Sequence, residues 1–463
     1  IFEVSFRTSK IPKLYSEAIV VPVFKKGNTV LVDNYRPISL CCVTCKLMES
    51  IINSKIVDYL TSNKIVSNKQ FGFTKGKSCM SQLLYCKNLW IDSLENKENI
   101  DVVFIDFSKA FDSVVHEKLI QKLRKVGLNG YLLLWISAFL RNRTQRVKIE
   151  GEMSTPLPVT SGVPQGSVLG PTLFNIYIND LINIVSDSKI FLFADDVKIF
   201  SNDPVKLQSD LNSICEWVEI CQLSISYEKC SVLHLGYNNP KTIFYLGDKV
   251  VKVENCVKDL GVLTSDTLSS TCHCHELYKK CSRMTYLICK SFISRNSELK
   301  MRAYKIYVLP ILDYCSSVYN PWKISDINLL ERIHRRFTKN ILKNGMSYED
   351  RLKHLRICSL EKRRLILDLL LTYKILHGKI PDLINMFCYN DVPSNTRSSV
   401  SSLLKIPKFR LDIKKYSFPN RMSKIFNLLS VPLKSTNGYN PGRFKTNLEA
   451  ADLSSFTRGA YKC

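Results

Sequence analysis

The stretch FLFADDVKIF, residues 191–200, sets two adjacent carboxylates in the middle of an apolar run. The run is rich in Phe, Val and Ile, which favour strands, and Ala-Asp-Asp at its centre predicts a tight turn between two strands. Two ionised carboxylates in such a setting repel each other and lose hydration, a cost that a bound cation offsets. The alternative for Asp195 and Asp196 is the polar tip of a surface hairpin, and the rest of the chain has to decide between the two.

Length and composition narrow the class of protein. The chain has 463 residues, enough for more than one compact lobe, and a net charge of +25 from 66 Lys+Arg against 41 Asp+Glu. Such an excess indicates a polyanionic partner, and nucleic acid fits best. An anionic membrane surface is the rival partner. No apolar run reaches the roughly 18–20 residues of a spanning helix, and the longest, GYLLLWISAFL at 130–140, predicts a buried helix.

Seventeen cysteines are scattered through predicted core segments, and no secretory signal opens the chain. This pattern favours reduced thiols in an intracellular protein over the disulfides of a secreted one. The cluster CHCH at 272–275 is too tight for a structural zinc site, which uses CxxC-type spacing and a second, distant pair of ligands. The chain begins without Met inside a predicted helix, so we expect it to be a fragment of a longer protein.

Two further segments complete the acidic pattern. FIDFSKAFD at 104–112 follows a predicted buried strand and carries Asp106, and TSGVPQGSVLGPTLFNIYIND at 160–180 is a Gly/Pro turn leading into an amphipathic helix. Two acidic strand ends separated by such a turn and helix are what a two-metal nucleotidyl-transfer site requires. There, carboxylates from neighbouring strands bridge two Mg²⁺ ions about 4 Å apart. Bound metal would neutralise the paired charges at 195–196.

Helical periodicity appears in several places. Residues 44–60 predict a helix with an apolar face of Leu47, Ile51, Ile52, Ile56 and Leu60, and residues 116–130 predict an amphipathic helix with Gly127 as its stop signal. After about residue 275 basic amphipathic helices replace the strand signals, which predicts a domain boundary there.

Taken in order, these segments resemble the reverse transcriptase of non-LTR retrotransposons of the Jockey/CR1/LINE type. AIVVPVFKKG and NYRPISL resemble its fingers motifs, QFGFTKGKSC the segment that follows them, and FIDFSKAFD motif A. SGVPQGSVLGPTLFNIYIND resembles motif B, FADD motif C, LSISYEKC motif D and DLGVLTSD motif E, so that the reverse transcriptase domain spans about 12–275. The resemblance implies an α+β right-hand polymerase with fingers (1–100), an antiparallel-sheet palm (101–275), a helical thumb (276–380) and a C-terminal basic region (381–463).

The resemblance also implies roles for individual residues. Asp106, Asp195 and Asp196 would be the metal-binding acids for two Mg²⁺ ions, with Mn²⁺ as an alternative, and Lys229 would be the general acid for the departing pyrophosphate. The residues implied in nucleotide binding are Lys25, Lys26, Arg36, Phe107, Phe111, Gln165 and Gly166.

Each of these roles has a structural alternative. Phe111, at the position that would exclude a ribose 2′ hydroxyl, could be ordinary core, and Arg36 could form a structural ion pair. Lys229 could be merely solvated. We expect Asp112 to be structural, as the cap of a helix beginning near Val114.

A helix at 329–342, LLERIHRRFTKNIL, combines an apolar and a basic face. Leu330, Ile333 and Phe337 share the apolar one. The basic residues Arg332, Arg335, Arg336 and Lys339 are expected on the other, along the backbone of a bound heteroduplex. A solvated face without a ligand is the alternative.

The function implied is RNA-directed DNA synthesis, in which a DNA 3′ end is extended on an RNA template with dNTPs. The partners would be template RNA, a DNA primer or target, and no membrane, within a retroelement ribonucleoprotein of nucleus and cytoplasm. The alternative is a catalytically silent remnant that only binds nucleic acid. Departures from the family pattern at Tyr15–Ser16, Ser226 and Cys230 leave the acids untouched. We also expect an upstream endonuclease domain, usual in related elements, to be absent from this piece.

Overall fold

The computed structural model describes residues 1–292, 296–342, 345–389, 404–430 and 438–458. The chain folds into two compact units that each combine distant parts of the sequence. The first unit consists of Ile1–Lys75, Asp101–Val232 and Lys241–Val253. The second consists of Gly76–Ile100, Leu233–Pro240 and the described part of Glu254–Cys463.

Two sheets organise the first unit. The strands are β1 (Glu17–Phe24), β2 (Tyr35–Leu40), β3 (Ile100–Ile105), β4 (Arg143–Ile149), β5 (Glu152–Met153), β6 (Leu157–Val159), β7 (Lys189–Phe193), β8 (Asp196–Ser201), β9 (Ser231–Leu235), β10 (Tyr245–Leu246), β11 (Lys249–Val250) and β12 (Lys252–Val253). In one sheet, the strand order is β2-β1-β4-β5 with β6 also paired to β4, and β1 and β4 run parallel. In the other sheet, the order is β12-β9-β3-β8-β7, and β8 is antiparallel to both β3 and β7.

Helices cover one face of the second sheet and bury its alternate side chains. Val103 and Ile105 of β3 and Val197 and Ile199 of β8 lie in one core with Phe174 of the helix Gly170–Ile178. Alternate residues of each strand therefore face this core, and Val102 and Phe200, which alternate with them, are buried as well, so both faces of these strands are covered. The helices of the unit are Phe2–Thr8, Lys13–Ser16, Val43–Ser62, His116–Lys125, Gly130–Leu140, Gly170–Ile178, Leu181–Ile184 and Pro204–Cys221, with 3₁₀ turns at Val32–Asn34 and Tyr227–Lys229.

The helix predicted at 44–60 is present as Val43–Ser62, but its predicted apolar face is only partly right. Ile52, Ile56 and Leu60 are buried, whereas Leu47 and Ile51 are about half exposed. Successive helical residues are separated by 100°, so Ile51 points well away from the stripe that Ile52 begins. The predicted helix at 116–130 ends earlier, at Lys125, and Gly127 follows with a φ of +90°.

The second unit is mainly helical in its described residues. A hairpin of β13 (Cys256–Asp259) and β14 (Val262–Ser265) precedes a series of helices with a core of its own. The helices are Cys79–Glu95, Thr271–Ser291, Ser297–Tyr307, Leu309–Asp313, Ser316–Tyr319, Ile324–Leu342, Tyr348–His354, Leu360–Leu376, Asp412–Lys415, Phe418–Leu428 and Pro441–Ala450, with 3₁₀ turns at Pro381–Met386 and Ser454–Phe456.

The compact units divide the chain differently from the linear subdivision expected from the motifs. Residues 76–100 belong to the second unit because the helix Cys79–Glu95 buries Leu83 and Leu84 in that core. The expected C-terminal basic region also contributes to it, through Phe418, Phe426 and Phe444. Residues 390–403, 431–437 and 459–463 of that region lie outside the described part of the chain.

The α+β class predicted from the sequence is confirmed by this mixture of helices and mainly antiparallel strands. Across the described residues we find no helix with the length and hydropathy needed to cross a bilayer.

Candidate active site

Two neighbouring strands of the central sheet bring the acidic residues together. Ile105, the last residue of β3, pairs with Val197 of β8, so Asp106 directly follows and Asp196 directly precedes the last residue pair of this ladder. The hairpin predicted around Ala-Asp-Asp is confirmed, since Phe193 of β7 pairs with Asp196 across a two-residue turn.

The turn itself holds Asp195. Ala194 is almost fully buried and adopts the left-handed conformation, with a φ of +56°. This conformation reverses the chain direction and places Asp195 at the tip of the hairpin. Burial raises the pKa of Asp195 above its ordinary value of 3.8, and the nearby Asp106 carboxylate raises it further. The positive charges of Lys25 and Arg36 oppose that rise. The carboxylates of Asp106 and Asp195 therefore interact electrostatically.

The acidic side chains have the chemistry of a site for a hard divalent cation. Mg²⁺ prefers carboxylate oxygens, and the mutual repulsion of Asp106 and Asp195 is the kind that a cation relieves. Within the described residues, however, no three acidic, His or Cys side chains already converge into a metal-binding group. Asp106, Asp195 and Asp196 are the acids that the motifs assign to this ion.

An ammonium group already neutralises one of these acids. The Nζ atom of Lys229 lies 3.2 Å from Oδ1 of Asp106, and both side chains are partly exposed. Backbone pairing explains the approach, because the N–H of Ser226 donates to the carbonyl of Asp106 (2.8 Å) and that of Ser108 to the carbonyl of Ser224 (2.7 Å). The structure thus places Lys229 at the acids rather than in bulk solvent.

The predicted triphosphate-binding cations lie on the first sheet and the loop that follows β1. Arg36 of β2 pairs in register with Val23 of β1, and Lys25 donates its backbone N–H to the carbonyl of Asn34 (2.8 Å). Both cations are exposed and both act on the pKa of Asp195. Lys26 is also exposed on this loop.

The turn of motif B is held against β2. The N–H of Ser39 donates to the carbonyl of Gln165 (2.8 Å), and Gly166 follows with a φ of +110°. A Cβ at Gly166 would lie 2.7 Å from the carbonyl oxygen of Ser39, so both the conformation and the close approach require glycine.

The expectation that Asp112 caps a helix is wrong. The nearest helix begins at His116 with Val115 at its N-cap and no side-chain cap. Asp112 instead accepts two hydrogen bonds from Nε2 of Gln165, at 3.0 and 3.1 Å, and burial raises the pKa of its carboxyl group. The amide of Gln165 is therefore engaged with Asp112 in this state.

The two predicted phenylalanines differ in exposure. Phe107 is buried and its backbone bridges to Ile225. Phe111 is half-buried, stacks on Phe174 with a centroid separation of 4.2 Å, and meets the edge of Phe73 at 6.2 Å. Packing therefore fixes the plane of the Phe111 ring.

Sequence reasoning missed two residues that support these turns. Glu49 is fully buried, and its Oε2 accepts the backbone N–H groups of Val168 (2.8 Å) and Leu169 (3.0 Å) at the start of the helix Gly170–Ile178. A charge on the buried side of an amphipathic helix was the available signal for it. Gln70, inside QFGFTKG, bonds to the backbone of Ala194, and no local pattern indicates that contact.

The predicted basic face belongs to the second unit, on the helix Ile324–Leu342. Leu330, Ile333 and Phe337 are buried, which confirms the predicted apolar face. Arg332, Arg336 and Lys339 are exposed, and Arg336 donates to the hydroxyl of Tyr278 (2.6 Å).

One member of that face departs from the prediction. Arg335 is half-buried, with its guanidinium 5.1 Å from the ring centroid of Tyr348. The helix Tyr348–His354 packs against this side, and the planar guanidinium covers the aromatic ring.

Residues 23–250 match the family model described as reverse transcriptase (RNA-dependent DNA polymerase). The match includes strands β2 to β11, the turns and the acids described above, so these residues form a reverse transcriptase domain. The resemblance predicted from the motifs is thereby confirmed.

The relatives of the chain are polymerases of mobile elements. It is 28% identical over 350 residues to the RNA-directed DNA polymerase from mobile element jockey of Drosophila melanogaster, which covers 71% of this chain and 38% of that protein. It is 27% identical over 363 residues to the probable RNA-directed DNA polymerase from transposon BS of the same species, covering 74% and 40%. The chain thus spans about two fifths of the length of these relatives. Among solved structures, apo telomerase from Candida Tropicalis aligns with a TM-score of 0.45 at 10% identity, over 81% of this chain and 64% of that one.

Proposed function

We propose that this chain is the RNA-directed DNA polymerase of a non-LTR retrotransposon, which extends a DNA 3′ end on an RNA template by two-metal nucleotidyl transfer. The observation that carries the proposal is the electrostatic interaction between Asp106, which follows β3, and Asp195, in the turn before the neighbouring strand β8, within a reverse transcriptase domain.

In the proposed reaction the primer 3′ hydroxyl loses its proton to solvent and its oxygen attacks the α-phosphorus of a dNTP. A phosphodiester bond forms, the bond between the α-phosphorus and the oxygen that joins it to the β-phosphorus breaks, and pyrophosphate leaves. Mg²⁺ held by Asp106, Asp195 and Asp196 would activate the hydroxyl and neutralise the phosphates. Lys229, which lies beside Asp106, would donate a proton to the leaving pyrophosphate.

The nucleotide would lie between the two sheets of the first unit. Support for this comes from the positive charges of Lys25 and Arg36, which act on Asp195 and suit a triphosphate through a point charge and a bidentate fork. Lys26 on the same loop would add a further charge. The backbone at Phe107 and the turn at Gln165–Gly166 would border the phosphates and the nascent base pair.

Sugar selection would depend on Phe111. Its ring stacks on Phe174, which fixes its orientation, so a ribose 2′ hydroxyl at that position would clash with the ring. The bases of template and primer would carry the sequence information, and the protein would hold their phosphates.

The partners of the intact protein would be template RNA and a DNA primer or target. The net charge of +25 and the exposed cations of the helix Ile324–Leu342 support binding to a nucleic-acid backbone. We further propose that the protein belongs to a retroelement ribonucleoprotein of nucleus and cytoplasm.

Primer extension tests the proposal. The purified chain is incubated with an oligo(dT) primer on poly(A), dNTPs and Mg²⁺, and Asp195→Asn serves as the inactive control, with duplex binding measured in parallel. We expect extension by the wild type, none by Asp195→Asn, and similar binding by both. A wild type that binds the duplex but never extends it would instead support the silent remnant.

A further inference from the structure

Gln70 pairs with the backbone of the turn that carries Asp195. The residues on either side of it already form a short ladder with β7, since Leu192 donates its N–H to the carbonyl of Lys69 (3.0 Å) and accepts from the N–H of Phe71 (2.8 Å). Beyond Leu192 the side chain of Gln70 continues this ladder. Its Oε1 accepts from the N–H of Ala194 (3.0 Å), and its Nε2 donates to the carbonyl of Ala194 (3.4 Å).

This pairing satisfies the backbone hydrogen-bonding groups of Ala194, a buried turn residue. Ala194 is almost fully buried, so its backbone N–H and carbonyl require partners inside the protein. It is also in the left-handed conformation, which costs a residue with a Cβ about 1–2 kcal/mol. The fully buried amide of Gln70 satisfies both backbone groups and so holds the turn in that conformation.

Gly72 allows the two segments to approach. A Cβ at Gly72 would lie 2.2 Å from the backbone nitrogen of Ala194 and 2.8 Å from the carbonyl carbon of Phe193, so any side chain there would displace the turn. The N–H of Gly72 donates to Oε1 of Gln70 (2.8 Å), and its carbonyl accepts from Nδ2 of Asn175 (2.8 Å) in the helix Gly170–Ile178. A continuous chain of hydrogen bonds therefore joins that helix to the residue preceding Asp195.

We propose that Gln70 is a positioning residue, which fixes the Ala194–Asp195 turn through its side-chain amide and thereby sets the affinity of the acidic site for its divalent cation. The inference rests on the proposed function only in taking Asp195 as a metal-binding residue. Groups that orient metal-binding residues in this way typically change metal affinity or activity by about 10–100-fold when removed.

Mn²⁺ binding to the full chain, followed by the paramagnetic signal of the free ion without nucleotide or nucleic acid, tests the proposal independently of polymerisation. The variant Gln70→Met keeps the length of the side chain and removes the amide. We expect about tenfold weaker Mn²⁺ binding by Gln70→Met and none at this site in Asp195→Asn. If the wild type needs nucleotide to bind the ion, the Mg²⁺ concentration for half-maximal primer extension becomes the readout.

The chain offers a matched control for the loss of an amide. Gln208 makes the same two-point contact with an exposed backbone, accepting from the N–H of Tyr245 (2.9 Å) and donating to its carbonyl (3.0 Å). Gln208→Met removes an equivalent pair of bonds away from the acids, and we expect wild-type metal affinity from it.

Gly72→Ala is the second test, because it disturbs the turn while the Gln70 amide stays in place. We expect weaker Mn²⁺ binding here too, and this variant decides the question if Gln70→Met does not fold. The proposal would be overturned if Gln70→Met folds and binds Mn²⁺ with wild-type affinity. It would also be overturned if both variants fail to fold, because the contact would then stabilise the whole unit and not the turn alone. If the variants bind Mn²⁺ more weakly but the wild type never extends a primer, the positioning role of Gln70 stands and the proposed polymerase function is refuted.

Discussion

The ammonium group of Lys229 lies 3.2 Å from the carboxylate of Asp106, across 123 positions of sequence. Lys229, which is expected to protonate the leaving group, therefore forms an ion pair with Asp106, which is expected to bind metal. A divalent ion entering this site competes with the ammonium for the same oxygen, because both are attracted by the same charge.

Lys229→Met should consequently have two opposite effects. The Mg²⁺ concentration for half-maximal extension should fall, because the competing charge is gone. The maximal rate should fall as well, by about 10²-fold or more, because a general acid typically contributes that much. A Mg²⁺ titration of primer extension measures both quantities. A variant with unchanged metal demand and unchanged rate would return Lys229 to the status of a solvated side chain.

Asp195 should reduce stability at neutral pH. Burial raises its pKa in the folded state above the ordinary value of 3.8, so folding favours the protonated form, and stability is lost as the pH rises through the interval between the two values. Each unit by which the pKa is raised corresponds to about 1.4 kcal/mol.

Asp195→Asn should therefore unfold at a higher temperature than the wild type at pH 7, and the difference should vanish below pH of about 3.8, where both forms are neutral. Thermal unfolding of the two proteins across this range is the measurement. A neutral-pH midpoint below that of the wild type would contradict the argument.

Phe111→Ala should admit ribonucleotides better. Removing the ring that stacks on Phe174 relieves the clash with a 2′ hydroxyl, and we expect the preference for dNTP over rNTP to fall by about tenfold, equivalent to about 1.4 kcal/mol. Single-nucleotide incorporation kinetics with dTTP and UTP give the ratio. Phe73→Ala, which removes only the edge contact, is the control and should discriminate as the wild type does. Equal discrimination in both variants would make Phe111 ordinary core.

The exposed cations of the helix Ile324–Leu342 should contribute to affinity without sequence preference. Arg332→Ala combined with Lys339→Ala should flatten the dependence of log K on log salt by up to about two units, a little under one for each phosphate that the variant no longer neutralises. Binding titrations at several salt concentrations, on duplexes of different sequence, measure the slope.

Arg335→Ala provides the contrast on the same helix. Because its guanidinium packs on Tyr348, this change should lower the urea midpoint and leave the salt slope unchanged. A flattened slope for Arg335→Ala, or a wild-type slope for the double variant, would refute this division of roles.

Glu49→Ala should loosen the turn of motif B. It leaves the partly buried N–H of Val168 and the buried N–H of Leu169 without their acceptor, at a cost of about 1–3 kcal/mol for an unpaired group that is buried. Urea unfolding should show the loss. Glu49→Gln retains an acceptor oxygen and should keep most of the stability, and an equal loss in both variants would mean that the charge, rather than the hydrogen bonds, matters.

Local patterns in the sequence were sufficient to predict the hairpin around Asp195, the strand before Asp106 and the buried stripe of Leu330, Ile333 and Phe337. Each of these follows from alternation or helical period over about ten residues, in which the burial of one face is encoded directly. The order of the motifs then identified the reverse transcriptase domain, although no single motif would have done so.

Only the tertiary structure decided which polar side chains meet. Lys229 reaches Asp106, Gln70 holds Ala194, Gln165 engages Asp112 and Arg335 covers Tyr348, whereas the sequence predicted a cap for Asp112 and an exposed position for Arg335. A polar side chain takes its partner from whichever segment the fold brings within about 3 Å, and that segment is set by the packing of distant strands and helices. Periodicity records which face of an element is buried, but it carries no information about the hydrogen-bonding group on the element opposite.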